Sequence, residues 1–334
     1  MTPPRIMFAR TGGIGNALAA VPALRAIKHA WPDSRITLVI EAAPAKALEN
    51  CPYVDETLIY EKRGADSGVM GYLRFLTKLR EQRFTHAILS KRFLRMSLLA
   101  RLAGARVRVG FAGYGHGITH PVEWDAYRSV IKTNLDLVAA LGIEPQGYHL
   151  EIWPSDEDAE SAETFLEEND IAGHPFIVTI HPGGISQRGY LWPIGNYIEL
   201  AKALAQKYDA APIFIGGAPD AQLLDKVRES AGNSFPISDK LSILGTAHLI
   251  SKSRMFVGSD SAPSHFAVAV GTPSVIYYGS KPDYEENLAR WSPLSGNVVS
   301  VSPLPGGDHP SVEMMMERVE VLMDKMEKTE PDKN

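Results

Sequence analysis

Two sets of loops in this chain are built from residues that can do chemistry. The first is RTGGIGNALAAVPALRAIK, residues 10–28, where an arginine and a glycine cluster precede an asparagine and an apolar helical pattern. Glycine permits a tight turn and close backbone approach by a ligand. Asn16 stands near a helix start, where Asn is also a good cap, so a plain strand-to-helix turn is the competing reading. The stretch is no dinucleotide fingerprint, because Leu18 occupies the third glycine position, and it lacks the Gly-Lys-Ser/Thr of a P-loop.

The second set lies in the other half. HPGGISQRGYLWP offers His181, Gly183, Gly184 and Ser186, with Arg188 for an anion; GGAPD follows with Gly217 and Asp220. VGSDSAPSHFAVAVGTP then places Asp260, Ser261, Ala262, Pro263 and His265 around the start of a short helix. Amides at a helix start and its positive dipole end favour phosphate. Asp260 suits sugar hydroxyls, and His265 alone would read as a satisfied core residue. Each loop alone is a weak signal, but three of them in successive βα units of one half are a strong one.

Loops of this kind need elements to hold them. Short apolar runs alternate with amphipathic stretches, the order of βαβ units around a parallel sheet. RIMFA, ITLVI, TLIY, HAIL and VRVG are expected strands in the first half, with helices over 17–30, 72–82 and 97–103. FIVTI, APIFIGG, RMFVG and PSVIYYG are expected in the second, with helices over 193–208, 220–231 and 263–270. Ligands of doubly wound sheets bind at the carboxyl ends of the strands, which is where the loops above fall. The expected domains are 1–153 and 154–334. EIWPSDEDAE is the linker, with Ser155 capping an acidic helix. An apolar stripe from Val312 to Met326 reads as core packing of a terminal helix, which is free to pack back on the first domain.

The chain has 334 residues and a formal net charge of -5. Residues 1–153 hold 20 Lys+Arg against 13 Asp+Glu, and residues 154–334 hold 14 against 26, so the halves carry +7 and -12. From Arg74 to Arg108 ten basic residues face one acid, Glu81. That is either a solvated face or a surface for an anionic partner. No nucleic-acid motif accompanies it. Cys51, the single cysteine, reads as structural. No apolar run nears the ~18 residues of a membrane span, and MTPPRIMFAR lacks a signal-peptide core. A soluble cytoplasmic protein is expected.

SDSAPSHFAVAVGTP resembles the D-S-G-x-x-H-x-A-x-A-x-G-x-P signature of the heptosyltransferases, glycosyltransferase family 9. GIGNALAAVPALRAIKHAWPDSRITLVI, LLARLAGARVRVGF, HPGG, WP, GGAPD and LSILGTAHLI resemble further blocks of that family in the same order. The resemblance implies an α/β GT-B fold, two Rossmann-like doubly wound domains facing across a cleft. It implies inverting, metal-independent transfer of heptose or a related sugar from a nucleotide sugar, ADP-linked, bound in the second domain. The acceptor would be an anionic saccharide such as lipopolysaccharide inner core, held in the first domain. No cofactor and no metal are implied, and Asp156-Glu157-Asp158 reads as a capping feature. The basic first domain would permit peripheral contact with the cytoplasmic face of the inner membrane.

Three departures stand out. The family usually carries an aspartate base where this chain has Asn16; a lysine where it has Tyr190, with Arg188 as a substitute; and a glycine where it has Ala262. Asn16 is then a positioning group, and Glu41, after ITLVI beside the Asn16 loop, is the candidate base, a helix-capping surface glutamate being its other reading. Arg10, Gly13, Gly15, Arg92 and Arg95 are the candidate acceptor contacts. The alternative function is a non-catalytic nucleotide-sugar-binding or scaffold protein; a third is a GT-B enzyme of other chemistry, such as a UDP-sugar epimerase.

Overall fold

The computed structural model describes residues 3–115, 117–184, 191–279, 284–304 and 307–329. The chain divides into two compact units, Met1–Glu151 and Ile152–Asn334. The first runs β1 (Arg5–Ala9), α1 (Ile14–Leu18), α2 (Val21–Ala30), β2 (Arg35–Ile40), α3 (Ala42–Lys46), β3 (Glu56–Ile59), α4 (Gly68–Glu81), β4 (His86–Leu89), α5 (Leu94–Leu102), β5 (Val107–Phe111), β6 (His120–Val122) and α6 (Val130–Ala139). The second begins with α7 (Asp156–Glu168), β7 (Ile177–His181), α8 (Ile194–Tyr208) and β8 (Ala211–Ile215). A 3-10 turn (Ala218–Asp220) leads to α9 (Ala221–Ala231), β9 (Ile237–Ser238), α10 (Ile243–Ser251), β10 (Met255–Ser259) and α11 (Ala262–Val270). It ends with β11 (Ser274–Tyr277), α12 (Tyr284–Trp291), β12 (Val298–Val301) and α13 (Val312–Thr329).

Each unit holds a six-stranded sheet, ordered β3-β2-β1-β4-β5-β6 and β12-β11-β10-β7-β8-β9. All neighbours pair in parallel. Both are α/β doubly wound units with the Rossmann strand order. The order reverses between β1 and β4 in one sheet and between β7 and β10 in the other. A crevice opens at each reversal, at the carboxyl ends of those strands. These central strands are apolar almost throughout and buried on both faces, as a parallel sheet covered by helices demands.

The helix expected over 17–30 is two helices. Pro22 lacks the amide that would continue α1, so the chain breaks at Ala19–Ala20 and restarts with Pro22 in the first turn of α2. The Asn134 side chain donates to the freed Ala19 carbonyl at 2.7 Å. Edge strands β6 and β9, three and two residues long, are too short to show a period in sequence. Ser155 caps α7 with Asp158 in a reciprocal box, and the Asp158 carboxylate also accepts the Ser242 hydroxyl ahead of α10. α13 packs within the second unit, where Met315, Val319 and Leu322 join the core beneath β11 and β12.

Candidate functional site

At the first reversal the turn after β1 meets the ends of β2 and β4. Gly12 takes φ +136, and a Cβ there would lie 3.0 Å from the Asn16 amide, so only glycine fits. Its backbone amide donates to Glu41 Oε2 at 2.7 Å. Glu41 precedes α3 without capping it. Arg10, buried, donates to the Ser90 carbonyl, to Ser90 Oγ at 3.3 Å and to the Asn16 carbonyl at 3.3 Å, and its other terminal nitrogen bonds Asn16 Oδ1. Ser90 in turn donates to Asn134. Asn16 is therefore fixed by a guanidinium and not by its own helix: α1 has Gly13 as its N-cap and no side-chain cap.

Lys91, directly after Ser90, completes the cluster. Desolvation pushes its ammonium below the ordinary lysine range, helped by the positive charges of Arg10 and Lys62 and opposed by Glu41. A carboxylate thus stands among three cations at one sheet edge. Arg92, exposed, stacks over the rings of Trp124 at 4.1 Å and Tyr114 at 4.6 Å. The Arg95 guanidinium is turned to α4, donating to the carbonyls of Asp66 at 2.6 Å and Gly68 at 3.5 Å and lying over Tyr72.

The second reversal is tighter. His181, the last residue of β7, is buried between Ser261 Oγ, 2.9 Å from Nδ1, and Asp220 Oδ2, 3.4 Å from Nε2. The ring thus links the Asp220 carboxylate on one side to the Ser261 hydroxyl on the other, and that hydroxyl also reaches the Ser259 carbonyl at 3.1 Å. The Gly217 amide also donates to Asp220, at 3.0 Å. Burial alone would raise the Asp220 pKa, but these bonds and the attraction of His181 hold it below the ordinary carboxylate range. A Cβ on Gly183 would fall 2.0 Å from Asp220 Oδ1, so the backbone must stay bare there. Ser259 fastens the same loop by donating to the Gly183 carbonyl.

Ser261 is the N-cap residue of α11, yet its side chain does not cap the helix, being engaged with His181. Ser264 supplies the reciprocal contact, accepting from the Ser261 amide at 3.3 Å. The Asp260 amide donates to the Tyr277 carbonyl at 3.0 Å, holding the loop on β11. Pro263, with no amide to leave orphaned, sits in the first turn of α11 after Ala262. His265 lies buried one turn on, its ring edge-to-face with Trp291 at 6.0 Å; burial pushes its pKa down to about 4, so it is neutral. The arrangement presents a helix N-terminus with a serine, a histidine and bare glycine backbone around it, a surface suited to a diphosphate.

Residues 72–316 match glycosyltransferase family 9 (heptosyltransferase). The chain belongs to that family. It is 24% identical to lipopolysaccharide heptosyltransferase 3 of Escherichia coli over 302 residues, 85% of each chain. Among solved structures, the family 9 glycosyltransferase of Veillonella parvula superposes with a TM-score of 0.84 at 18% identity, covering 97% of this chain and 98% of the other. The ADP-heptose lipopolysaccharide heptosyltransferase II of E. coli gives 0.78 at 18% identity, covering 97% and 99%. These likenesses establish the GT-B fold. This protein is a glycosyltransferase.

In this glycosyltransferase the loops named from sequence gather at the two strand reversals. Arg10, Gly13, Gly15, Asn16 and Glu41 come together in one unit, and His181, Gly183, Gly184, Gly217, Asp220, Asp260, Ser261, Ala262, Pro263 and His265 in the other. Ser186, Arg188 and Tyr190 lie outside the described residues. Sequence reasoning passed over Lys91 and Ser259. Lys91 stands two residues beyond the end of β4 and Ser259 is the last residue of β10, and those positions were the signal available. Cys51 is buried, and burial pushes its thiol up to about 12, as suits a structural cysteine.

Proposed function

We propose that this glycosyltransferase moves a heptose or related sugar, with inversion and without a metal, from an ADP-linked donor to an anionic saccharide of the lipopolysaccharide inner-core type. The observation that carries the donor half is the His181–Ser261–Asp220 chain at the start of α11. It holds a serine hydroxyl and bare backbone at a positive dipole end, where a diphosphate leaving group gains most. Ser261, His181 and Asp220 stand in the series of a nucleophilic relay, but Ser261 sits at the anion-holding end of a helix, where it meets phosphate oxygens and not an acyl carbon.

The acceptor half rests on the Glu41 cluster. The acceptor hydroxyl attacks the anomeric carbon from the face opposite the diphosphate; the new C–O bond forms as the bond to phosphate breaks, and the hydroxyl proton passes to Glu41. Asn16, locked by Arg10, orients the hydroxyl. Lys91 and Arg92 meet phosphate or carboxylate groups on the acceptor. Arg10 and Arg95, each donating to backbone carbonyls of the protein, position the loops.

The test is release of ADP from ADP-heptose on addition of a water-soluble, deacylated inner-core oligosaccharide, with GDP-, UDP- and TDP-sugars as comparators and EDTA in a parallel arm. A thermal-shift series identifies the base first, because a ligand at 100 times its Kd adds about 2.7 kcal/mol of stability. ADP release that needs Mg²⁺ would refute the metal-free part. A second reading, a nucleotide-sugar-binding protein without turnover, has one observation in its favour: the Asn16 amide cannot take a proton. Binding of ADP-heptose with no release of ADP would establish it.

A further inference from the structure

We infer that the outer faces of α4 and α5 form a surface that binds anionic lipid membranes. Each helix buries one side and leaves aliphatic residues on the other. α4 buries Phe75, Leu76 and Leu79, while Val69, Met70 and Leu73 are 75%, 79% and 49% exposed. α5 buries Met96, Leu99 and Ala100, while Leu94, Leu98 and Leu102, spaced by four and so on one stripe, are 53%, 37% and 39% exposed. Among the described residues these are six of the twelve exposed large hydrophobic side chains. Such concentration on one face marks an interaction surface.

Two hydrogen bonds make the faces neighbours. Arg95 on α5 donates to the Asp66 carbonyl before α4 at 2.6 Å, and Arg80 near the end of α4 donates to the Leu102 carbonyl at the end of α5 at 3.0 Å. The helices therefore lie side by side, start against start and end against end. Arg74, Lys78, Arg80 and Arg101 flank the apolar residues, all exposed, with Glu81 the single acid on either helix. Arg74 lies 3.8 Å from the buried Asp66 and keeps over half its side chain in solvent.

This chemistry selects the partner. Aliphatic side chains ringed by cations match acyl chains beneath anionic headgroups. A second copy would set one basic rim against another, which repels. Both helices start at the carboxyl edge of the sheet, the edge that carries Glu41 and Lys91, so Val69, Met70 and Leu94 would enter the membrane beside the acceptor loops. Only that last consequence rests on the glycolipid acceptor proposed above; the lipid binding itself does not.

The experiment is co-sedimentation of the full-length protein with phosphatidylcholine vesicles, with and without phosphatidylglycerol, at low and high salt and with no substrate present. The protein is expected to sediment with the anionic vesicles and to stay in solution with the neutral ones. V69S/M70S/L94S/L98S should weaken partitioning about tenfold or more, and R74Q/K78Q should flatten its salt dependence. Thermal melts and turnover of a water-soluble acceptor should stay at wild-type values; M70Q/L98Q serves if the fourfold variant melts early. Failure of the wild type to bind anionic vesicles overturns the inference, as does undiminished binding by the apolar variant. A concentration-dependent dimer in light scattering that the apolar variant abolishes would assign the face to a second copy and also overturn it. Because the vesicles carry no acceptor, none of these results depends on the donor or on catalysis.

Discussion

The Gly12 amide donates to Glu41 Oε2 at 2.7 Å, fastening the glycine turn after β1 to the residue that directly follows β2. Two adjacent parallel strands are thereby joined at their carboxyl ends through one oxygen of a carboxylate.

Glu41→Gln separates this fastening from the proton transfer proposed for the same residue. The amide carbonyl can still accept from Gly12, so the fold and the melting temperature should hold, but an amide cannot take the acceptor proton. At saturating acceptor, kcat should fall by ~10²-fold or more, the usual contribution of a general base. Normal kcat in this variant would remove Glu41 from the chemistry.

Asn16→Asp restores the residue usual in the family. Arg10 already donates to Asn16 Oδ1, and a carboxylate accepts the same bond with charge assistance. The substitution should therefore be tolerated, with turnover equal to the wild type or higher. A variant that melts at the wild-type temperature yet turns over more slowly would show that the amide itself is needed.

Much of this was legible in the sequence. RIMFA and HAIL are strands of the expected extent because a strand buried on both faces leaves an uninterrupted apolar run. Glu41 was placed beside the Asn16 loop by topology alone. What sequence could not show was side-chain direction. Arg92 and Arg95 follow one strand three residues apart, yet one lies exposed over Trp124 and Tyr114 while the other turns to the carbonyls at the start of α4. That difference depends on where α4 begins, a fact remote in the chain. Lys91 was hidden for the same reason: its neighbours Arg10, Lys62 and Glu41 come from three other segments. The break between α1 and α2 did have a sequence signal, Pro22, which the apolar period overrode.

Arg92→Ala and Arg95→Ala should accordingly behave differently. Arg92→Ala is expected to raise acceptor KM about tenfold, with a salt-dependent loss typical of an exposed cation, and to leave nucleotide affinity and melting temperature alone. Arg95→Ala strips hydrogen bonds from two carbonyls and should cost about 1–3 kcal/mol of stability. Equal effects of the two variants on KM, with no change in melting, would contradict the separation.

Gly183→Ala tests the donor cradle. The added methyl would meet Asp220 Oδ1 at 2.0 Å, forcing the loop or the carboxylate to move and disturbing His181 with it. Nucleotide binding measured by calorimetry should be lost or weakened at least about tenfold, with a stability cost of about 1–3 kcal/mol for an overpacked site. Pairing it with Asp220→Ala should return part of the stability, because the clash is gone, but not the binding. Strict additivity of the two stability changes would mean that the methyl and the carboxylate do not meet.

His265 gives a pH signature. Burial moves its pKa from 6.5 down to about 4 in the folded chain, so the folded state refuses a proton that the unfolded state accepts. Between these values the unfolded state binds more protons, and stability must rise with pH there. Above about pH 6.5 the histidine is neutral in both states and contributes no slope. On acidification from there to about pH 4 it should remove up to about 3 kcal/mol, since each pH unit between the two values is worth about 1.4 kcal/mol. Asp220 also loses stability in acid, since its carboxyl is held below the ordinary range, but that contribution is common to any variant that retains it. The measurement is therefore a difference: denaturant unfolding of the wild type and of His265→Phe, whose ring can keep the edge-to-face contact with Trp291, at intervals from about pH 8 to about pH 4.5. The gap between them should be flat above neutrality and shift in favour of the variant as pH falls below about 6.5. A gap that stays constant over the whole range would mean that His265 takes up its proton as readily folded as unfolded, and would place its ring in water instead of against Trp291.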